Sequence, residues 1–163
     1  MVQKRLPIVF VLCMMIAFMH CMPASVAAAE KVTPVTRPDI ESLIRNQQCP
    51  VVIVAMASWC SPCRKELPTL NRLYEKYKGK GLSVIGISLD VGGPSAMQSI
   101  VDDMQITFPV YWGGEKITAE YNISAIPLLM LSKDGEIVER IIGKRSEEFL
   151  EKKITALLRG CDG

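Results

Sequence analysis

The chain has 163 residues, 49% of them hydrophobic, and its 19 basic and 17 acidic side chains leave a formal net charge of +2. That balance offers no cationic face for nucleic acid, and the length suits one domain around one core. The only histidine is His20, so chemistry that needs imidazole downstream of it is excluded: a Cys/His dyad, a serine triad, a Cys₂His₂ zinc site and Cys-x-x-Cys-His haem attachment.

Residues 1–29 have the pattern of a signal peptide. Lys4 and Arg5 form a positive start, and Ile8 to Met19 is an apolar stretch. It is shorter than the roughly 20 residues a membrane span needs. Small residues gather at Ala24 to Ala29, and Ala27-x-Ala29 offers a cleavage site before Glu30. An uncleaved membrane anchor is the alternative. Cys21 follows Phe18-Met19-His20, which lacks the small residues of a lipid-attachment site, so lipidation is not expected. A cleaved leader implies export to an oxidising compartment, here the bacterial periplasm. Lys4 and Arg5 are the only charges ahead of Glu30; 19 basic residues less these two equals the 17 acidic ones, so the domain at 30–163 is neutral.

Glu30 to Arg37 reads as an extended arm. Pro38 to Asn46 has Ile40, Leu43 and Ile44 on one helical face. Val51 to Met56 is an unbroken apolar, β-branched run, the pattern of a strand buried on both faces. A helix is expected from Cys60 to about Lys78, with Leu67, Leu70, Leu73, Tyr74 and Tyr77 inward and Pro68 kinking it. Leu82 to Leu89 is a second strand, Ser95 to Met104 a helix, Val110 to Trp112 a short strand and Ile117 to Tyr121 a short helix. Leu128 to Ser132 and Ile137 to Ile142 flank Lys133-Asp134-Gly135-Glu136, a strong hairpin signal. Ser146 can cap a last helix over Glu147 to Leu158. Parallel crossovers followed by a terminal hairpin imply an α/β fold, a central mixed sheet with helices on both faces.

The most informative residues are Trp59-Cys60-Ser61-Pro62-Cys63, between the buried strand and its helix. A helix N-terminus favours a thiolate, which is the nucleophile in thiol–disulfide exchange. Cys60, at that terminus, is the expected nucleophile and is expected to be exposed. Cys63, one turn on, would resolve the mixed disulfide. A structural bridge over so short a loop would stabilise little, and a metal clip would need two more ligands. Pro62 fixes φ at the start of the helix. Trp59 either packs in the core or offers substrate a flat apolar surface. Glu66, three residues past Cys63, falls on the same helix face.

This order, with Trp-Cys-x-Pro-Cys after the first buried strand and Ile126-Pro127 before the hairpin, resembles the thioredoxin fold over about residues 36 to 159. Within that superfamily the chain is similar to the exported TlpA/ResA group. The segment from Asp90 to Pro127 has room for the extra helix and strand that group inserts before the proline hairpin, and Cys63-Arg64-Lys65-Glu66-Leu67-Pro68 matches its Cys-x-x-Glu-x-Pro pattern. Two departures stand out. The group's N-terminal hairpin is missing between Glu30 and Pro50, and Leu128 stands where members dedicated to cytochrome c maturation often carry an acid.

The resemblance implies an exported thiol–disulfide oxidoreductase that reduces protein disulfides and is recharged by a membrane redox partner, with apocytochrome c as a candidate substrate. No cofactor, metal or nucleic acid is implied, and a monomer is expected. Val54 occupies the place of thioredoxin's buried acid. The resemblance instead gives Glu66 the proton-transfer role, with burial raising its pKa. It also implies a cis bond before Pro127, with the Ile126 backbone facing the Cys pair and free to bind an extended substrate. Cys49 and Cys161 would both lie at the far end of the sheet and form a structural disulfide. Competing readings are a disulfide-forming oxidant and, outside enzymes, a copper(I) metallochaperone. Related copper carriers use Cys-x-x-x-Cys plus histidine, both missing from residues 30–163; a peroxidase ranks last.

Overall fold

The computed structural model describes residues 31–161; the expected leader, the expected cleavage site and Cys21 lie outside them. In chain order the elements are β1 (Thr33–Pro34), α1 (Arg37–Arg45), β2 (Val51–Met56), α2 (Ser61–Tyr77), β3 (Ser83–Ser88), α3 (Pro94–Asp103), β4 (Val110–Trp112), α4 (Gly114–Glu120), β5 (Leu128–Lys133), β6 (Glu136–Ile142) and α5 (Glu147–Leu157). The strands form one sheet in the order β1-β4-β3-β2-β5-β6. β1, β4, β3 and β2 run parallel, while β5 is antiparallel to both β2 and β6. This is the mixed sheet that the resemblance implies, with α3 and β4 as the inserted helix and strand.

Strand β2 sits in the middle and explains why its sequence is apolar throughout. Successive side chains of a strand point to opposite faces. Val52, Val54 and Met56 enter a core with Leu67, Leu70 and Leu73 of α2, Met97 and Val101 of α3, and Leu150 and Ile154 of α5. Val51, Ile53 and Ala55 enter a second core with Ile40 and Ile44 of α1, Ile117 of α4 and Tyr121 just after it. The Asp-Gly signal is realised: Asp134 (φ 53°) and Gly135 (φ 81°) both adopt the positive φ a tight hairpin turn needs. Ser146 caps α5, accepting a bond from the Phe149 N–H at 3.3 Å. Helix α2 runs unbroken through Pro68.

The expected arm at 30–37 differs in one respect. Two of its residues form β1, which pairs in parallel with Tyr111 and Trp112, and Val35 N–H donates to Trp112 O at 2.9 Å. Two residues show no periodicity; only the exposed edge of β4 makes them a strand. Opposite the Cys60 end of the sheet, Cys49 precedes β2 and Cys161 follows α5. They are bonded, with Cα atoms 5.6 Å apart across 112 residues of chain. Gly81 (φ 89°) makes room for them, since a Cβ there would lie 2.6 Å from Cys49 Sγ.

Replacing Cys49 and Cys161 together by serine should lower unfolding free energy by about 2–5 kcal/mol, because the closed loop is long. Urea denaturation of the oxidised protein and the double variant measures this. Gly81→Ala should destabilise in the same assay, by roughly 1 kcal/mol or more, through its strained φ and the contact with sulfur.

Candidate active site

The chain leaves β2 at Met56, crosses Ala57 to Cys60 and turns into α2 at Ser61. Cys60 is the N-cap, in extended backbone (φ −80°, ψ 97°), and Pro62 lies in the first turn of the helix. Cys60 Sγ accepts a bond from the Cys63 N–H at 3.3 Å. The two cysteines are joined in a disulfide with Cα atoms 5.3 Å apart. One of the helix's orphan N–H donors is thus aimed at the sulfur, where it would stabilise negative charge.

Exposure differs from the expectation. Cys60 is only 4% exposed and Cys63 2%. In the disulfide form Cys60 belongs to the buried cluster on the α2 side of the sheet, and its Sγ lies 3.3 Å from the Cys63 backbone nitrogen. Trp59, by contrast, is 68% exposed, so it does not pack in the core. Pro62 is exposed, Ile126 half-buried and Pro127 buried. The Ile126–Pro127 peptide bond is cis. Trp59 and Ile126 share a groove of about 470 Å³ with Leu89, Thr118 and Ile123. The fold therefore brings together two residues 67 positions apart in the sequence beside the cysteine pair.

Glu66 projects from the buried face of α2 that also carries Cys63. It is 1% exposed, buried more completely than the helix spacing implied. Its Oε1 accepts the Arg145 backbone N–H at 2.7 Å, whereas Oε2 is buried with no hydrogen-bond partner among the described residues. Burial pushes the carboxyl pKa up from its ordinary value; the Arg145 N–H and the charges of Lys144 and Arg145 oppose that in part. Cys49 and Cys161 form a separate bridge outside this site. One further buried acid, Asp90, holds the loop before Cys60 through Ser58. The sequence hint was an acid ending an apolar strand, Ile87-Ser88-Leu89-Asp90, level with the Cys-bearing loop.

A model of the AhpC/TSA family matches residues 21–140. The chain belongs to the AhpC/TSA family. Its relatives include the thiol-disulfide oxidoreductase ResA of Bacillus anthracis, 41% identical over 103 residues that make up 60% of this chain and 59% of the relative. This chain therefore spans about three fifths of the curated relatives' length. Among solved structures, StoA from Bacillus subtilis superposes with a TM-score of 0.59 at 26% identity, covering 67% of this chain and 84% of that one. A secreted Mycobacterium tuberculosis disulfide oxidoreductase shares the fold, with a TM-score of 0.61 at 23% identity over 68% of this chain and 84% of that one. These likenesses confirm the thioredoxin-like fold and the ResA-type relationship expected from the Cys-x-x-Cys and Cys-x-x-Glu-x-Pro patterns.

Glu66 gives the protein's stability a pH signature. Its folded pKa lies above its unfolded value of about 4.3. Below the unfolded value it is protonated in both states and its contribution is fully present; that contribution is lost as pH rises through the folded pKa. Urea melts between about pH 4 and 8 should show Glu66→Gln gaining stability relative to the parent as pH rises. A pH-independent difference would contradict the assignment.

Proposed function

We propose that this chain is an exported thiol–disulfide oxidoreductase that reduces protein disulfides through Cys60 and Cys63. The observation that carries the reading is the joined cysteine pair at the N-terminus of α2, with a buried carboxyl on the same helix face. The ResA relative supports the chemistry, and the leader pattern of residues 1–29 supports export.

In the reduced protein the Cys60 thiolate attacks a substrate disulfide. A bond forms between Cys60 Sγ and one substrate sulfur, and the other leaves as a thiolate that takes up a proton. Cys63 then loses its proton to the Glu66 carboxylate and attacks Cys60 Sγ. The mixed disulfide breaks, the second substrate thiolate leaves and the ring is closed. Two electrons have passed to the substrate, and a membrane redox partner must return them. Glu66 suits this step because burial raises its pKa above the ordinary carboxylate range, which makes it a better proton acceptor than an exposed glutamate. The groove beside Trp59 and Ile126 would seat the extended substrate chain, with apocytochrome c as one candidate and Pro127 keeping the Ile126 backbone at its edge. The same dithiol could run in the oxidising direction; the reduction potential decides.

Equilibration with a glutathione series tests the direction. A potential near or below about −270 mV, that of thioredoxin, fits a reductant, whereas one near −120 mV fits a disulfide donor and overturns the reducing assignment. Cys60→Ser should abolish reduction of a protein disulfide, and Cys63→Ser should trap a mixed disulfide visible by mass spectrometry. Glu66→Gln should slow turnover by about 10²-fold while leaving the mixed disulfide able to form.

A further inference from the structure

Asp90 is a buried acid whose two side-chain oxygens both accept hydrogen bonds, yet the reaction above gives it no part. It is 2% exposed, just beyond the end of β3, and Ser88 beside it is fully buried. The parallel register pairs Met56 of β2 with Ser88 of β3, and two residues further this places Ser58 opposite Asp90. Side chains complete the pairing where the backbone ladder stops. The Ser58 N–H lies 3.1 Å from both carboxylate oxygens. Ser58 Oγ donates to Oδ1 at 2.6 Å, and Ser88 Oγ donates to Oδ2 at 2.7 Å. The Asp90 backbone is held as well, its carbonyl accepting the Trp112 indole N–H at 2.6 Å. Burying a charge is costly unless it is hydrogen-bonded in this way, and two of the three donors to the carboxylate belong to one residue, Ser58, two positions before Cys60.

We propose that Asp90 is a positioning residue for the thiol chemistry: by clamping Ser58 it fixes the loop from which Cys60 projects, and so sets how readily the Cys60–Cys63 ring closes. A dithiol held in near-bonding geometry has a high effective concentration, which favours the disulfide and makes the protein a stronger reductant. Releasing the loop lowers that effective concentration and shifts the equilibrium toward the dithiol. The balance is protein disulfide plus two glutathione thiols against protein dithiol plus one glutathione disulfide. This inference rests on the exchange activity proposed above.

The test compares the glutathione equilibrium constants of four proteins: the parent, Asp90→Asn, Ser58→Ala and Ser88→Ala. Circular dichroism and thermal melts identify any variant that fails to fold. Asp90→Asn and Ser58→Ala should each shift the constant at least threefold toward the dithiol, about 15 mV at about 30 mV per factor of ten. Ser88→Ala removes a bond to the same carboxylate but keeps Ser58 clamped. It should lower Tm and leave the constant within about 1.5-fold of the parent. Folded Asp90→Asn and Ser58→Ala variants with unshifted constants would overturn the proposal. So would a shift confined to Asp90→Asn, which would mean that its charge acts without the clamp, or an equal shift in Ser88→Ala. A parent that does not equilibrate with glutathione would overturn the exchange reading and this inference with it, whereas a parent that equilibrates while the folded variants stay unshifted overturns this inference alone.

Discussion

The structure depends on strand β2 being buried on both faces. Its six residues divide strictly between two cores, and both helical layers are organised around that division. A strand so placed has no freedom to slip, because a shift of one residue would send each side chain to the wrong face. The loop after Met56 therefore starts from a fixed point, and α2 packs its leucines on the same core. Cys60 and Cys63 sit at the junction of these two rigid elements. The packing of strand and helix on one core brings the helix N-terminus to the sulfurs.

Two kinds of electrostatic control meet at that junction. At the open end of α2 the backbone N–H groups favour negative charge on Cys60. Deeper in the same helix, Glu66 is in surroundings that disfavour charge, with one oxygen bonded to the Arg145 N–H and the other without a partner among the described residues. A sulfur that accepts negative charge and a carboxyl that resists it are the two properties a proton-coupled thiol exchange requires. Asp90 differs from both. Its oxygens are satisfied by hydroxyl and backbone donors, whereas Glu66 Oε2 has no hydrogen-bond partner among the described residues.

Much of the fold was legible because periodicity and turn chemistry are local. The unbroken run at 51–56, the leucine spacing of α2 and Asp134-Gly135 each specify their element with little help from elsewhere. The Cys-x-x-Cys pair and Glu66 were legible for the same reason, since helical spacing places them on adjoining turns. The two-residue β1 was not legible, because its pairing with β4 is the only thing that makes it a strand. Asp90 was missed as well, because an acid after a strand usually faces water.

The sequence by itself determined which residues could do chemistry. It removed imidazole from everything after His20, put two thiols at the start of a helix and set a carboxyl one turn further on. Only the tertiary structure decided their surroundings. It buried both sulfurs in the closed ring, left Trp59 exposed beside Ile126, joined Cys49 to Cys161 and set Asp90 against Ser58. The division has a physical cause. Local spacing along a helix or strand fixes which side chains share a face, whereas burial, groove walls and long-range hydrogen bonds exist only once distant segments pack together.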